Sequence, residues 1–336
     1  MRKSVACLSL PVCLVWGCSW TPTGSAAFQH LVFRKKRHNR ARAGEPLNGF
    51  SKRQSRLRAV AVEPVGVFDL QLLVTDDEIE EASKAAEGTF DVSNSAAGEK
   101  IPLKVVQSTS GSRFRKEDIF AFGDGTHPTT RLCLEFLSAL PSLTERGQQD
   151  LSLLDYGTGT GILTAAALRG RRFSKAVAVD IDAESLQLAE LTFRVNGVSG
   201  DAELEHGRSV VVGLSESHDV CIANILPGPL TKLAPTLSSL VKPGGLLFLS
   251  GIRPWQVEDM RRRYGEWFHF PESSSDPVVD SLGGLSQDVP RLLEIFPEGW
   301  RASEHPVLGH WAGVFGVKKE TDLSRDLDMF ADSAVQ

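Results

Sequence analysis

From about residue 150 onward, short apolar runs of five or six residues alternate with stretches in which apolar positions recur every three or four residues. That alternation marks strands buried on both faces and joined by amphipathic helices, the pattern of a parallel α/β sheet. It predicts strands at 151–156, 176–180, 203–206, 220–224 and 246–250. Helices fit 129–140, 162–169, 183–196, 229–241 and 256–264. Lys242-Pro243-Gly244-Gly245 reads as a turn feeding the fifth strand. Residues 271–299, rich in Ser, Pro and Gly at first, read as an insertion, and 311–318 as a last strand bounded by charge.

A smaller fragment precedes this sheet. Residues 65–74 read as a strand. Thr75 followed three residues on by Glu78 has the capping-box spacing and opens a helix running to about residue 87. Residues 101–107 read as another strand, and a polar link follows through 108–116. The expected organisation is therefore a leading segment (1–60), a short α+β recognition region (61–115) and a larger α/β domain (116–336).

Composition changes the picture at the front. Arg2 and Lys3 precede an apolar run over 5–16, too short to span a bilayer, and small residues follow at Gly24-Ser25-Ala26-Ala27 before Phe28. Residues 34–58 then hold ten Lys or Arg against one acid, Glu45. A signal-like segment followed by an acid-poor basic stretch resembles the two-part plastid presequence of algae with secondary plastids. The expectation is a protein of the plastid stroma, with a plain secretory signal or a mitochondrial presequence as alternatives.

Residues 1–58 contain 12 of the 37 basic residues and one of the 42 acidic ones, so the remainder has a net charge near −16. That balance suits a basic protein partner and argues against a direct grip on nucleic acid or membrane by the mature chain. Only Cys133 and Cys221 remain after the front is removed, both among apolar neighbours. They form neither a disulfide framework nor a metal site, and no metal is expected.

Two motifs carry the chemistry. Asp155-Tyr156-Gly157-Thr158-Gly159-Thr160-Gly161 closes a strand and opens a helix. Its glycines permit a tight turn and close approach of a ligand, and a helix N-terminus offers amide donors. The GxGxG spacing differs from the GxGxxG of dinucleotide folds. Asp180 ends the next strand, where a carboxylate can accept from both hydroxyls of a ribose, and Asp182 is placed as the N-cap of the following helix. Asn224 ends the fourth strand within Asn224-Ile225-Leu226-Pro227-Gly228-Pro229; there it is either a turn residue or an amide that orients an amine. The run Ala121-Phe122-Gly123-Asp124-Gly125-Thr126-His127-Pro128-Thr129-Thr130 is the most specific stretch. Thr126 or His127 can cap the helix, with Pro128 where a missing N–H costs nothing. His127 is read as a capping or packing residue in preference to a general base.

Together, and in this order, these motifs resemble the family of ribosomal protein L-eleven (L11) methyltransferases over about residues 120–251, with an echo at 309–319. The resemblance implies a class I methyltransferase fold, a Rossmann-like seven-stranded and mostly parallel sheet, with a short N-terminal α+β appendage. It implies S-adenosylmethionine as methyl donor and protein lysine as acceptor, ribosomal protein L-eleven being the expected substrate. Carried onto this chain by the resemblance, the donor-binding residues are Thr130, Gly157, Asp180 and Asn224, with Asn224 also the catalytic residue; Asp155, Gly159 and Gly161 join them as the rest of the glycine loop. Asp124 stands where the family usually has Thr. The region 61–115 is about half the length of a bacterial recognition domain, and 271–299 has no counterpart there. Two alternatives remain: a lysine methyltransferase of another protein, such as the electron-transfer flavoprotein β subunit, or a non-catalytic protein that binds the donor or the ribosome.

Overall fold

The computed structural model describes residues 60–86, 100–107, 122–147, 149–207 and 217–320. The presequence-like segment 1–58 and the link at 108–116 lie outside them. In chain order the elements are β1 (Val60–Val65), β2 (Phe68–Leu73), α1 (Asp76–Ala86), β3 (Ile101–Val106), α2 (Pro128–Ala139), β4 (Ser152–Tyr156), α3 (Ile162–Arg169), β5 (Lys175–Asp180), α4 (Ala183–Asn196) and β6 (Ala202–His206). They continue with β7 (His218–Asn224), α5 (Pro227–Leu240), β8 (Val241–Ile252), α6 (Val257–Tyr264), β9 (Phe268–His269), α7 (Pro277–Ser281), α8 (Val289–Ile295), β10 (Trp300–His305) and β11 (Gly309–Lys318).

The main sheet runs β10-β11-β8-β7-β4-β5-β6, with the two-residue β9 paired to β11. The five strands from β6 to β8 are mutually parallel, and β11 is antiparallel to both β8 and β10. This is the class I methyltransferase sheet. Consecutive strand residues feed opposite faces: Leu153, Val220, Ile222, Leu246 and Phe248 pack in one core with α2, α3 and α4. Leu154, Cys221, Ala223, Leu247 and Leu249 pack in another with α5 and α6. Two-sided burial explains why these strands are unbroken apolar runs.

Two features differ from the sequence reading. The strand expected at 65–74 is present as β2, Phe68–Leu73, but it starts later, because Gly66 at φ 56° turns the chain back to an unexpected partner strand, β1. The turn expected at 242–245 lies inside β8. His218 pairs with Val241 and Val220 with Leu246, so Lys242–Gly245 loop out of one continuous ladder, with Gly244 in the left-handed region at φ 71°. The insertion contributes to the core: Val289, Leu292 and Phe296 are fully or almost fully buried, with Phe296 edge-on to Phe248 at 5.2 Å. The buried Arg146–Asp288 ion pair fastens it to the loop after α2.

The small sheet β1-β2-β3 is likewise part of the larger body. Phe68, Leu70, Leu103 and Val105 share a core with α2 and α3. Asn196 of α4 donates to the Lys104 carbonyl and accepts from its amide, and Thr192 accepts from the Val106 amide. These side chains satisfy the open edge of β3, which would otherwise expose a row of unpaired backbone groups. The capping box at Thr75 and Glu78 is present as the spacing predicts.

Candidate functional site

The carboxyl ends of β4, β5 and β7 bring Asp155, Asp180 and Asn224 to one edge of the sheet. Asp180 and Asn224 stand on either side of β4, about 10 Å apart by two strand spacings. Asp155 is fully buried one residue before the end of β4. Its Oδ2 accepts from the Thr158 hydroxyl at 2.7 Å and the Thr164 hydroxyl at 2.9 Å, whereas Oδ1 is buried without a partner. Burial raises its pKa to about 6, against the lowering effect of the two threonines.

Asp180 binds the glycine loop to the tip of β5. Its Oδ2 accepts from the Gly159 amide at 3.0 Å and its Oδ1 from the Asp182 amide at 3.0 Å. Each oxygen keeps a lone pair for a further donor. Asp182 caps α4 through Ser185, as its spacing predicts.

The loop itself corrects one expectation. The amides of Gly157 and Thr158 donate to the Val179 carbonyl, that of Thr160 to the Phe122 carbonyl and that of Gly161 to the Thr158 carbonyl. With Gly159 on Asp180, every amide from 157 to 161 has a partner within the chain. The loop therefore contributes shape in place of free donors. A Cβ on Gly159 would stand 2.2 Å from the Phe122 carbonyl oxygen, and one on Gly157 2.2 Å from the Ile225 side chain. Gly161 faces α4, where a Cβ would meet Ala189 and Phe193. These glycines let the 122–123 strap and the 224–226 segment close onto the loop. The Thr160 hydroxyl, donating to the Gly123 carbonyl at 2.6 Å, ties the strap down.

The strap leads into α2. His127 is its N-cap and Pro128 its first residue; the His127 Nδ1 accepts from the Thr129 amide at 3.3 Å. With Nδ1 an acceptor, the neutral ring carries its proton on Nε2, and burial holds the pKa below the usual histidine range. That arrangement is a cap and leaves no free basic nitrogen. Thr130, three residues on, is fully buried with its Oγ1 unpartnered. Asn224 is nine-tenths buried with its Oδ1 unpartnered.

Buried polar atoms are almost always bonded, and leaving one unpaired costs about 1–3 kcal/mol. Three such atoms, on Thr130, Asp155 and Asn224, belong to residues the sequence assigns to the donor, and all stand at this edge. Their chemistry suits S-adenosylmethionine with an amine beside it: a ribose for Asp180, and N–H or O–H donors for the unpartnered oxygens.

Sequence reasoning missed an aromatic wall beside this group. Phe122 meets His127 edge-on at 4.8 Å, His127 meets Trp311 at 4.9 Å, and the Arg253 guanidinium lies 3.7 Å over the Trp311 ring. Arg253 follows β8 and Trp311 lies in β11, 58 residues away. The pairing of Ile252 with Ala312 brings them together. The signals available were the Phe122 of the motif and the echo of the resemblance around Trp311.

Residues 118–276 match the family "Ribosomal protein L11 methyltransferase (PrmA)". The relatives agree. A ribosomal protein L11 methyltransferase of Shewanella pealeana is 40% identical over 165 residues, 49% of this chain and 53% of the relative. One of Escherichia coli O8 is 42% identical over 160 residues, 48% of this chain and 50% of the relative. The chain thus spans about half the length of the curated relatives it matches. Among solved structures, a ribosomal protein L11 methylase of Lactobacillus delbrueckii subsp. bulgaricus aligns with 21% identity and a TM-score of 0.43, covering 75% of this chain and 95% of that one. The part similar to the ribosomal protein L11 methyltransferases includes Thr130, the glycine loop, Asp180 and Asn224, the residues that build the edge just described.

Proposed function

We propose that this chain is a protein-lysine methyltransferase that uses S-adenosylmethionine, and that its substrate is ribosomal protein L11. The observation that supports this reading is the set of buried, unpartnered polar atoms on Thr130, Asp155 and Asn224 beside the Asp180 carboxylate. The half-length match to named L11 methyltransferases adds the substrate class.

When bound, S-adenosylmethionine supplies a sulfonium methyl, which passes to nitrogen while sulfur keeps the electron pair of the broken bond. The chain must present a neutral amine to it. A lysine with its ordinary pKa of about 10.4 is only about 0.1% neutral near pH 7.4. Burial beside Phe122 and Trp311 disfavours the ammonium form, and so does the positive Arg253 in the same wall. His127 does not take the proton, since its Nδ1 is engaged as the cap of α2; water at the mouth receives it. Asn224 Oδ1 accepts an N–H from the amine and so turns the nitrogen lone pair towards the donor. Its own nitrogen is delocalised into the amide and is a poor nucleophile, so Asn224 is not itself methylated. Alignment of amine and donor supplies much of the remaining rate.

The presequence-like front supports a location in the plastid stroma; a fluorescent fusion of residues 1–60 that stays outside plastids overturns that location. The activity is tested with the full chain, radiolabelled S-adenosylmethionine and a plastid extract, with labelled proteins identified by mass spectrometry. Label on ribosomal protein L11 is expected. Label on a different protein keeps the chemistry and moves the substrate. Protection of the chain by NADH and not by S-adenosylmethionine overturns the reading at its root.

A further inference from the structure

Seven large apolar side chains are exposed among the described residues. Six of them (Phe122, Ile181, Leu226, Trp255, Val307 and Leu308) lie on loops at the carboxyl edge of the sheet. Scattered apolar residues need no explanation, whereas a concentration at one edge marks an interaction surface. Within it, Trp255 at 73% exposure, beyond the end of β8, and Val307 at 85%, in the β10–β11 turn, stand well into solvent on the side of Arg253 and Trp311.

The turn that carries Val307 is held firmly. The His305 Nδ1 accepts from the amides of Val307 and Leu308, both at 3.1 Å. Arg253 donates to the carbonyls of Leu308 at 3.2 Å and His310 at 2.8 Å, and the Trp311 indole donates to Leu308 at 2.9 Å. Five hydrogen bonds thus fix a turn whose outer face is apolar. A preordered surface of this kind loses little entropy when a partner docks.

We propose that Trp255 and the Val307–Leu308 turn form a lip that docks an apolar segment of the protein substrate next to its target lysine. This rests on the reading of the site as one for protein amines. Continuity with that site decides the occupant. Arg253 bonds the turn and stacks on Trp311, Trp311 meets His127, and His127 caps the helix that bears Thr130. His127 also lies within the electrostatic reach of His305 at the base of the turn. A polypeptide seated on the lip therefore has its neighbouring side chain at the mouth. Two acidic side chains lie along this path, Glu304 in the strand that leads into the turn and Asp124 within electrostatic reach of His127.

The test uses the full chain with fluorescently labelled Escherichia coli ribosomal protein L11 as probe, in the presence of S-adenosylhomocysteine. Binding is read by anisotropy for wild type, W255A, W255F, V307D and, as a control at an exposed apolar position elsewhere, V278D. The expected result is at least tenfold weaker binding for W255A and V307D, with W255F and V278D within twofold of wild type. In turnover with radiolabelled donor, the same two variants raise KM for L11 while kcat and donor affinity stay within twofold. Binding unchanged in W255A and V307D overturns the lip, and so does a wild type that does not bind L11. A dimeric wild type that V307D turns into monomers assigns the lip to a second copy and overturns it too. L11 that binds in a Trp255-dependent way and receives no methyl supports the lip and overturns only the proposed activity.

Discussion

The two ends of the parallel sheet are built from the same strands and handle polar groups in opposite ways. At the amino end, Asp219 of β7 accepts from the Ser152 amide at 2.8 Å and from the Lys242 ammonium at 2.9 Å. Asp219 and Lys242 line a cleft of about 200 Å³ with Gln149, Gly245 and Gln287. At the carboxyl end, Thr130, Asp155 and Asn224 each keep a buried polar atom without a partner, and apolar side chains face solvent around them. A cleft is thus present where the polar groups already satisfy one another. At the carboxyl end the unmet capacity lies on oxygens of Thr130, Asp155 and Asn224, which face the glycine loop and the Asp180 carboxylate. The charged pair of the cleft is satisfied within the chain, so the cleft by itself does not mark a ligand site.

The largest effects should follow from breaking the carboxyl edge. Asp180→Ala removes the acceptor assigned to the ribose and also frees the Gly159 amide. Two hydrogen bonds to a charged group, at about 1.5 kcal/mol or more each, amount to roughly a hundredfold or more in donor affinity. Calorimetry with S-adenosylmethionine should show that loss; an affinity within threefold of wild type removes Asp180 from the site. Asn224→Ala should act differently, with turnover falling about tenfold to a hundredfold and donor affinity changing much less. Equal losses in binding and turnover make Asn224 a part of the donor pocket alone, without a role in orienting the amine.

Much of this edge was legible in the sequence because Asp155, Asp180 and Asn224 stand at or next to the ends of apolar runs that locate the strands. What was not legible depends on tertiary pairing. β10 reads Trp-Arg-Ala-Ser-Glu-His, an edge strand with no apolar run to reveal it. β9 is two residues long, and one glycine inside an apolar stretch gave no sign that it divides β1 from β2. Arg253 and Trp311 become neighbours only through the antiparallel β8–β11 ladder. The glycine loop was legible as a turn, whereas the occupation of its amides by Val179, Asp180 and Phe122 was not.

A milder effect sharpens the comparison from the amino end, where buried nitrogens of Arg146, Arg172 and His218 also lack partners. His218 is buried, and neither ring nitrogen has a partner. Burial lowers its pKa to about 4, with Lys242 and Lys175 adding to the shift and Asp219 opposing it. The folded state thus keeps this histidine neutral. As pH falls below about 6.5 the unfolded chain takes up a proton that the folded chain refuses, so stability falls progressively until about pH 4. Asp155, whose pKa is raised, contributes in the opposite sense, being stabilising at low pH and less so as pH rises through about 6. That contribution is common to wild type and His218→Leu, so it cancels in their difference. Urea midpoints from pH 7.5 to 4.5 should fall more steeply for wild type than for His218→Leu; parallel curves mean that His218 finds a proton acceptor on folding.

The smallest effect expected is that of Lys242→Met, and it bears most directly on whether the two edges are separate. Lys242 is 40% exposed and pairs with an Asp219 that still accepts from Ser152 when the ammonium is gone. Such a partly solvated pair is worth about 1 kcal/mol or less. The variant should unfold at nearly the wild-type urea concentration, and its affinity for S-adenosylmethionine should stay within twofold. The methionine stem still covers the apolar wall of the cleft, so packing there changes little. A tenfold loss of donor affinity would mean that the ladder from Lys242 through β8 to Ser250 transmits strain to its neighbour Asn224. The amino-end network would then belong to the site. Unchanged affinity leaves the cleft as a structural consequence of the Lys242–Gly245 bulge, and the chemistry at the opposite end of the same strands.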